Sequence, residues 1–529
     1  MMEWESLEET SAKFIRLQPD NPLAKLFRSF LAIAHQNTEE ATSLLLQAVA
    51  DSNGSPHQMA ILVVMNLMEA LTRQGNYLSA LLIADSLVGI NEDLDQVTGE
   101  AMDRLNRENG VSVLSRELIP SANDPGDSPY AERLAEAESL IESHRITGAK
   151  TKLEAMLREF GQQAPILQSI VRCQLLLTDT ESAAITCRKL AALPSLPEPQ
   201  RIYYLALSYE LSPKSGGVTV RSDIFVYTIE DPEFENRLNA IESLEKLPVD
   251  RLKNLLAAFV DPDVPPKSAF LCSKPYLREQ FPETETVRYG NWIAYYGKQT
   301  DKPARLVALE PSVGQRKEMI DEVLKELGVG NSSRELVFSI NEGIPDLTRI
   351  AAQPRKPVAT ERAQSFQQTV RQIGIDEAIN TPVEALDNRS MLEVAGQQEY
   401  RLRLQAILLL MHSQNAMEFD HSTFESLRQR MQVSEPKLSP QTDVFDTVGG
   451  AAYFWTDLTS IDPNSLIQLM QSAMLRDVYS VYQPLIAKAD SMEWPEELKE
   501  SMTMTLLVMR SEEHTLNSSH EWISRMPSS

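Results

Sequence analysis

From Pro22 to Leu193, apolar residues recur three and four positions apart in runs of about a dozen, and each pair of runs is broken by a polar or glycine turn. That spacing puts one apolar stripe on each helix and predicts stacked helical hairpins. The pairs are Leu23 to Ala34 with Glu39 to Ala50, Met59 to Thr72 with Tyr77 to Val88, Tyr130 to His144 with Gly148 to Phe160, and Pro165 to Leu177 with Glu181 to Leu193. Small residues fall where two helices must approach closely. The repeat positions are Ala41, Ala80, Ala149 and Ala183, one in the second helix of each pair. Ala149 and Ala183 stand 34 residues apart, and each is followed by apolar residues at four and seven places, Leu153 and Met156 in one helix, Cys187 and Leu190 in the other.

The period changes between Gly217 and Pro311. Val218 to Ile229, Ser268 to Ser273, Thr286 to Tyr296 and Ala304 to Glu310 are rich in β-branched and aromatic residues, so a small antiparallel sheet is expected. A helix from Glu235 to Phe259 is expected between the first two strands. After Pro311 helices resume, among them Gly314 to Leu327, Thr360 to Ile373, Tyr400 to His412, Ser422 to Met431, Asn464 to Met474, Arg476 to Ala489 and Glu496 to Met509. Joints at Gln353 to Pro357 and Pro436 to Asp443 read as linkers. The division that follows is 1–200 for the hairpins, 201–312 for the β-rich insert, 313–435 for a helical domain, 436–509 for C-terminal hairpins and 510–529 for a tail.

Thirty-four residues is the period of the tetratricopeptide repeat, and the hairpins over roughly Trp4 to Pro199 resemble those of bacterial tetratricopeptide-repeat proteins. The resemblance implies a mainly α fold: an α-solenoid of hairpins with the small antiparallel β-rich insert and a C-terminal helical region. Helix Glu3 to Leu17, running into Pro19-Asp20-Asn21-Pro22, looks like the second helix of a repeat whose first helix is missing, so the natural chain is expected to extend upstream. Arg510 to Ser529 resembles a translated sequencing adapter and is expected to carry no function, His514, His520 and Trp522 included. The segment Ile379 to Ala395, with Asn380-Thr381-Pro382, and the helix Leu402 to Leu410 are similar to the partner-binding module of MbcA/ParS/Xre-type antitoxins. That likeness covers about 45 residues, and Arg389-Ser390-Met391 stands where the family has a Gly-x-Thr-Pro turn.

Charge narrows the partners. With 50 Lys+Arg against 75 Asp+Glu the chain carries a net charge of −25, the wrong sign for neutralising phosphates, so no nucleic acid is expected. No apolar run reaches the roughly 20 residues that span a bilayer, and no membrane partner is expected. Three cysteines, Cys173, Cys187 and Cys272, make neither a disulfide framework nor a tetrahedral zinc site, which points to a reducing compartment, the cytoplasm.

Catalytic, cofactor and metal motifs were sought without result. The histidines show no His-Glu-x-x-His pattern. Gly290 to Lys298 has its glycines seven apart where a P-loop needs five, and Gln299 stands where a Mg²⁺-binding hydroxyl belongs. Tyr289, Trp292, Tyr295 and Tyr296 crowd four aromatics into eight residues, a candidate peptide- or ring-binding platform beside Arg288 and Lys298, or else the core of a sheet packed on helices. Helical hairpins cannot bury their own stripes, so they stack into an array whose groove holds other chains. The expectation is a non-enzymatic interaction scaffold without cofactor, binding a protein or peptide of basic character. The rival is an enzyme whose site is assembled around residues 286–310, with a deep pocket near Trp292 or Asp301.

Overall fold

A computed structural model describes residues 11–52, 56–106, 111–242, 244–247, 249, 265–272, 284–286, 291–300, 302–330, 334–344, 352–354, 360–416, 421–440 and 444–523. The chain is mainly helical with one six-stranded antiparallel sheet, and it divides into two compact units. The first joins residues 1–216 to 398–513; the second runs from 217 to 397, with 514–529 grouped to it.

In the first unit ten helices follow the apolar stripes: α1 (Pro22–Ala34), α2 (Thr38–Asp51), α3 (Met59–Arg73), α4 (Tyr77–Ser86), α5 (Glu92–Asn106), α6 (Ala131–Glu142), α7 (Ile146–Phe160), α8 (Ala164–Leu176), α9 (Thr180–Ala191) and α10 (Glu198–Leu211). Each helix packs on the next within α1 to α5 and within α6 to α10, and α1 touches α3, α3 touches α5 and α6 touches α8. Two of these helices lie outside the sequence reading. In α5 five carboxylates mask a stripe of Leu94, Thr98 and Leu105. In α10 Pro199 stands in the first turn, where it needs no helical N–H and its φ already suits a helix. The first joint between units therefore follows α10, at 216/217, and the expected division at 200/201 cuts through that helix.

After α11 (Phe234–Ala240), α12 (Gln315–Glu326) and α13 (Thr360–Asn380) of the second unit, the first unit is completed by α14 (Arg401–Gln414), α15 (His421–Met431), α16 (Pro463–Leu475), α17 (Tyr482–Asp490) and α18 (Lys499–Ile523) as far as residue 513. Helix α14 packs on α10, so the two stretches of this unit meet although 189 residues lie between the two helices in sequence. The expected boundary at 435/436 falls inside the unit, and Leu438 there bridges Thr456, its N–H donating to the Trp455 carbonyl at 2.8 Å. Helix α18 continues through position 510 without a break. Of the expected first helix, residues 11–17 are helical and Trp4 and Leu7 lie outside the described residues.

The second unit is built on β1 (Thr219–Ile229), β2 (Leu244–Leu247), β3 (Ser268–Cys272), β5 (Asn291–Tyr296), β6 (Ala304–Pro311) and β7 (Arg334–Gly343), in the order β2-β3-β5-β6-β1-β7 with every pair antiparallel. A second ribbon pairs β4 (Thr284–Thr286) with β8 (Ala352–Pro354). Alternation along the strands sorts two cores. One face carries Tyr227, Phe270, Ile293, Tyr295 and Leu306 against α11 (Phe234–Ala240) and α12 (Gln315–Glu326); the other carries Ile224, Ala269, Trp292, Ala294, Tyr296 and Val307. A long helix, α13 (Thr360–Asn380), follows the sheet.

Two expectations are corrected here. Of the helix expected from Glu235 to Phe259, the described part ends at Ala240, and Leu244 to Leu247 joins β3 as an edge strand, because pairing with buried β3 satisfies its backbone; residues 250–259 lie outside the described residues. The boundary expected at 312/313 falls inside this unit, since β7 lies beyond it yet pairs with β1 along the length of the sheet. Two of the three residues of β8, Gln353 and Pro354, fall on the expected linker Gln353 to Pro357, and they are likewise paired.

Candidate interaction surface

The hairpins share one turn. Gln36, Gly75, His144 and Thr178 each adopt a positive φ, of 61°, 77°, 61° and 60°, at the same place two residues before a second helix. The next residue closes the turn backwards: Asn37, Asn76, Arg145 and Asp179 donate their N–H to Ala32, Leu71, Leu140 and Gln174 at 2.8 to 2.9 Å. That bond satisfies a carbonyl left open at the end of the first helix. Ala41, Ala80, Ala149 and Ala183 are then each the fourth residue of the second helix, and each is fully buried. Ser29 on α1 donates its hydroxyl to the Ala41 carbonyl at 2.6 Å, a contact that only a small side chain at 41 leaves open.

Second helices also meet partners outside their own pair. Helix α4 is buried at every position from Leu78 to Ala84 and packs on α8 as well as on α3 and α5, and α2 touches α7. A cleft of about 150 Å³ remains between α2 and α7, lined by Ser43, Gln47, Asp51, His144, Arg145 and Thr147. Asp51 is held there by Lys25 at 2.5 Å, and His144 Nε2 lies 2.6 Å from the Ser86 carbonyl. A second cleft of about 170 Å³ lies between α3 and α5 and is open to solvent beside Met65. Each is smaller than the roughly 300 Å³ at which small-molecule pockets begin. On α3 the apolar side chains of Leu62 and Met65 are 45% and 55% exposed, whereas the first helix α8 is buried at eleven of its thirteen positions and Ile185 on the second helix α9 is 47% exposed.

Titratable groups cluster in two buried places in this unit. Glu117 receives Arg476 at 2.6 and 3.0 Å and the Tyr453 hydroxyl at 2.9 Å, while Arg116 and Arg476 each donate to the other's carbonyl, at 2.8 and 3.2 Å. Burial raises the Glu117 carboxyl against the pull of Arg476. Close approach is possible because Gly450 lacks a side chain: a Cβ there would sit 2.5 Å from the Val113 carbonyl oxygen. In the second place, His412 lies stacked between Phe424 and Phe454, ring centroids 4.1 and 3.9 Å away, with Arg428 donating to its Nδ1 at 3.3 Å. Arg428 also pairs with Glu435 at 2.6 Å. Burial lifts Glu435 to about 7 and holds His412 well below the usual histidine range. Both clusters join distant helices, and neither opens onto the clefts above. No local sequence pattern announces them, because their members stand up to 360 residues apart.

The cysteines sit in the core. Burial pushes Cys173 up to about 12 and Cys272 to about 11 and raises Cys187 further, so all three are protonated thiols packed as small apolar groups. Among the aromatics, Trp292 and Tyr296 face one core of the sheet and Tyr295 the other, where it packs on Phe234 at 5.7 Å. A stacking platform needs open ring faces, and these three residues are at most 8% exposed. Tyr289 and Asp301 lie outside the described residues. The stretch resembling an antitoxin module is divided: residues 379–397 belong to the second unit and α14 to the first. Within it Ser390 and Glu393 form a reciprocal cap, 2.6 and 3.3 Å, the local reason for the motif-like spacing.

No family model, curated protein or solved structure matches this chain. Among the described residues no group of three metal-ligating side chains converges, and no described helix is long and apolar enough to cross a membrane.

Proposed function

We propose that the protein is a non-enzymatic scaffold that holds a protein or peptide partner on a tetratricopeptide-like array formed by residues 22–211. One observation supports this reading: four hairpins reuse the same turn and the same buried alanine, the local repetition from which an array of stacked hairpins is built. Because α4 is enclosed and α2 meets α7, the apolar surface left for a guest is the exposed side of α3. An acidic chain speeds encounter with a basic partner and discriminates against acidic ones.

Affinity capture on the full chain, followed by lysine- and carboxylate-directed cross-linking, tests this. Cross-links from a salt-eluted protein should fall within residues 22–211. Cross-links confined to residues 217–397 would overturn the reading.

A further inference from the structure

We infer that the groove between α3 and α5 is a docking site for a basic amphipathic helix of another protein. The inference deepens the scaffold reading and rests on it.

Three features of the groove point to that occupant. Leu62 and Met65 stand one turn apart on the outer stripe of α3, and their side chains are among the most exposed large apolar ones described. The adjoining cleft between Met65, Met68, Val97 and Ala101 gives an apolar anchor somewhere to enter. Methionine walls adapt to the shape of what enters, since three rotatable bonds and a polarizable sulfur let them refill a gap. Anchors spaced by one turn match the i, i+3 and i+4 positions of a helix laid along the groove.

Charge sets the sign of the partner. From α3 through α5, residues 59–106 carry seven carboxylates, Glu69, Asp85, Glu92, Asp93, Asp95, Glu100 and Asp103, against two arginines and no lysine. Glu69 and Glu100 line the cleft together with one cation, Arg104, and Arg73 is already engaged by Glu69. Asp93 lies two turns before Glu100 on the same stripe of α5. An apolar strip bordered this way complements a helix with leucine-like residues on one face and Lys or Arg beside them, and repels an acidic helix of the same shape.

The probe is a fluorescein-labelled Leu/Lys amphipathic peptide of about four helical turns, with a Leu/Glu peptide of the same pattern as its opposite. Binding to the full chain is read by anisotropy at about 50 mM and about 300 mM salt. The Leu/Lys peptide should bind and the Leu/Glu peptide should not. Leu62→Ser with Met65→Ser, and separately Glu69→Lys with Glu100→Lys, should each weaken binding about tenfold while leaving the melting temperature in place, because the four positions are exposed. Higher salt should weaken the wild type and flatten its difference from the charge-reversed variant. Equal binding by wild type and both variants, or equal binding of the two peptides, overturns the inference. The scaffold reading fails separately, by cross-links confined to residues 217–397.

Discussion

The hairpins of residues 22–211 and the sheet of residues 217–397 bury comparable apolar stripes by different routes. In the hairpins each turn closes on itself: the left-handed residue, the backward N–H bond and the alanine lie within ten residues of one another. In the sheet every strand depends on a distant one, as β1 does on β6, whose Ala304 to Pro311 lies about 80 residues onward, and on β7 beyond that. Local closure can be copied along a chain, and copying gives repeated surfaces. A sheet closed over long range gives one core on each face, which here take in Tyr295 on one side and Trp292 and Tyr296 on the other.

The most damaging way to break the comparison is to fill a helix contact. Ala149→Glu or Ala183→Glu should cost about 4 kcal/mol, because a carboxylate there has neither room nor partner. Urea melts followed by circular dichroism read it, and near-wild-type midpoints for both variants would show that the alanines are not where hairpins touch. Ile293→Ala, fully buried in the sheet, should cost about 3 kcal/mol by leaving a cavity that neighbouring strands cannot collapse into.

Next in size is the link between distant helices of the first unit. Arg476→Ala strands Glu117 with Tyr453 as its remaining side-chain donor and should cost about 2–3 kcal/mol. Glu117→Gln with Arg476→Met, which removes both charges, should recover part of that loss. A double variant less stable than Arg476→Ala would contradict the assignment of the cost to an unpaired carboxylate.

The buried pair at α15 predicts a pH signature. Glu435 keeps its proton up to about pH 7 when folded and to about 4.5 when unfolded, so the folded state holds more protons in that window. Its contribution is complete below about 4.5 and is lost as pH rises through about 7. His412 works oppositely: held neutral in the fold, it takes a proton only on unfolding, so stability falls as pH drops below about 6.5. Glu435→Gln should remove the alkaline loss, on the order of 1–2 kcal/mol, and leave the acid one. Urea midpoints at about pH 5, 6.5 and 8 check this. The smallest expected change is a gain: Thr178→Gly should stabilise by about 0.5–1 kcal/mol, since a β-branched residue is strained at φ 60° and its buried hydroxyl has no partner. Loss of stability there would mean that the turn needs the threonine.

Much of the fold is legible along the chain wherever burial is one-sided. The stripes of α1 to α3, α6, α7 and α9 and the partial alternation of β1 are of that kind, whereas α4, α8 and β6 are buried nearly throughout. Helix α5 escapes because its exposed carboxylates outnumber its buried apolar residues, and β7 because Leu336, Val337 and Phe338 are exposed in succession around a β-bulge. The groove between α3 and α5 escapes for a related reason: Leu62 and Met65 read as core from spacing alone, and only the packing of α3 on its neighbours shows which apolar stripe stays outside.

Periodicity by itself determined that the first third is helical hairpins, where the small residues go, that β structure interrupts the helices, and that the surface is acidic. Each of those is set within a dozen residues, by side-chain size, turn chemistry or charge. Tertiary structure alone decided that α14 packs beside α10 across 189 residues, that Arg476 answers Glu117, and that Trp292, Tyr295 and Tyr296 are core. Those outcomes depend on which distant surfaces exclude water from each other, and no local window carries that information.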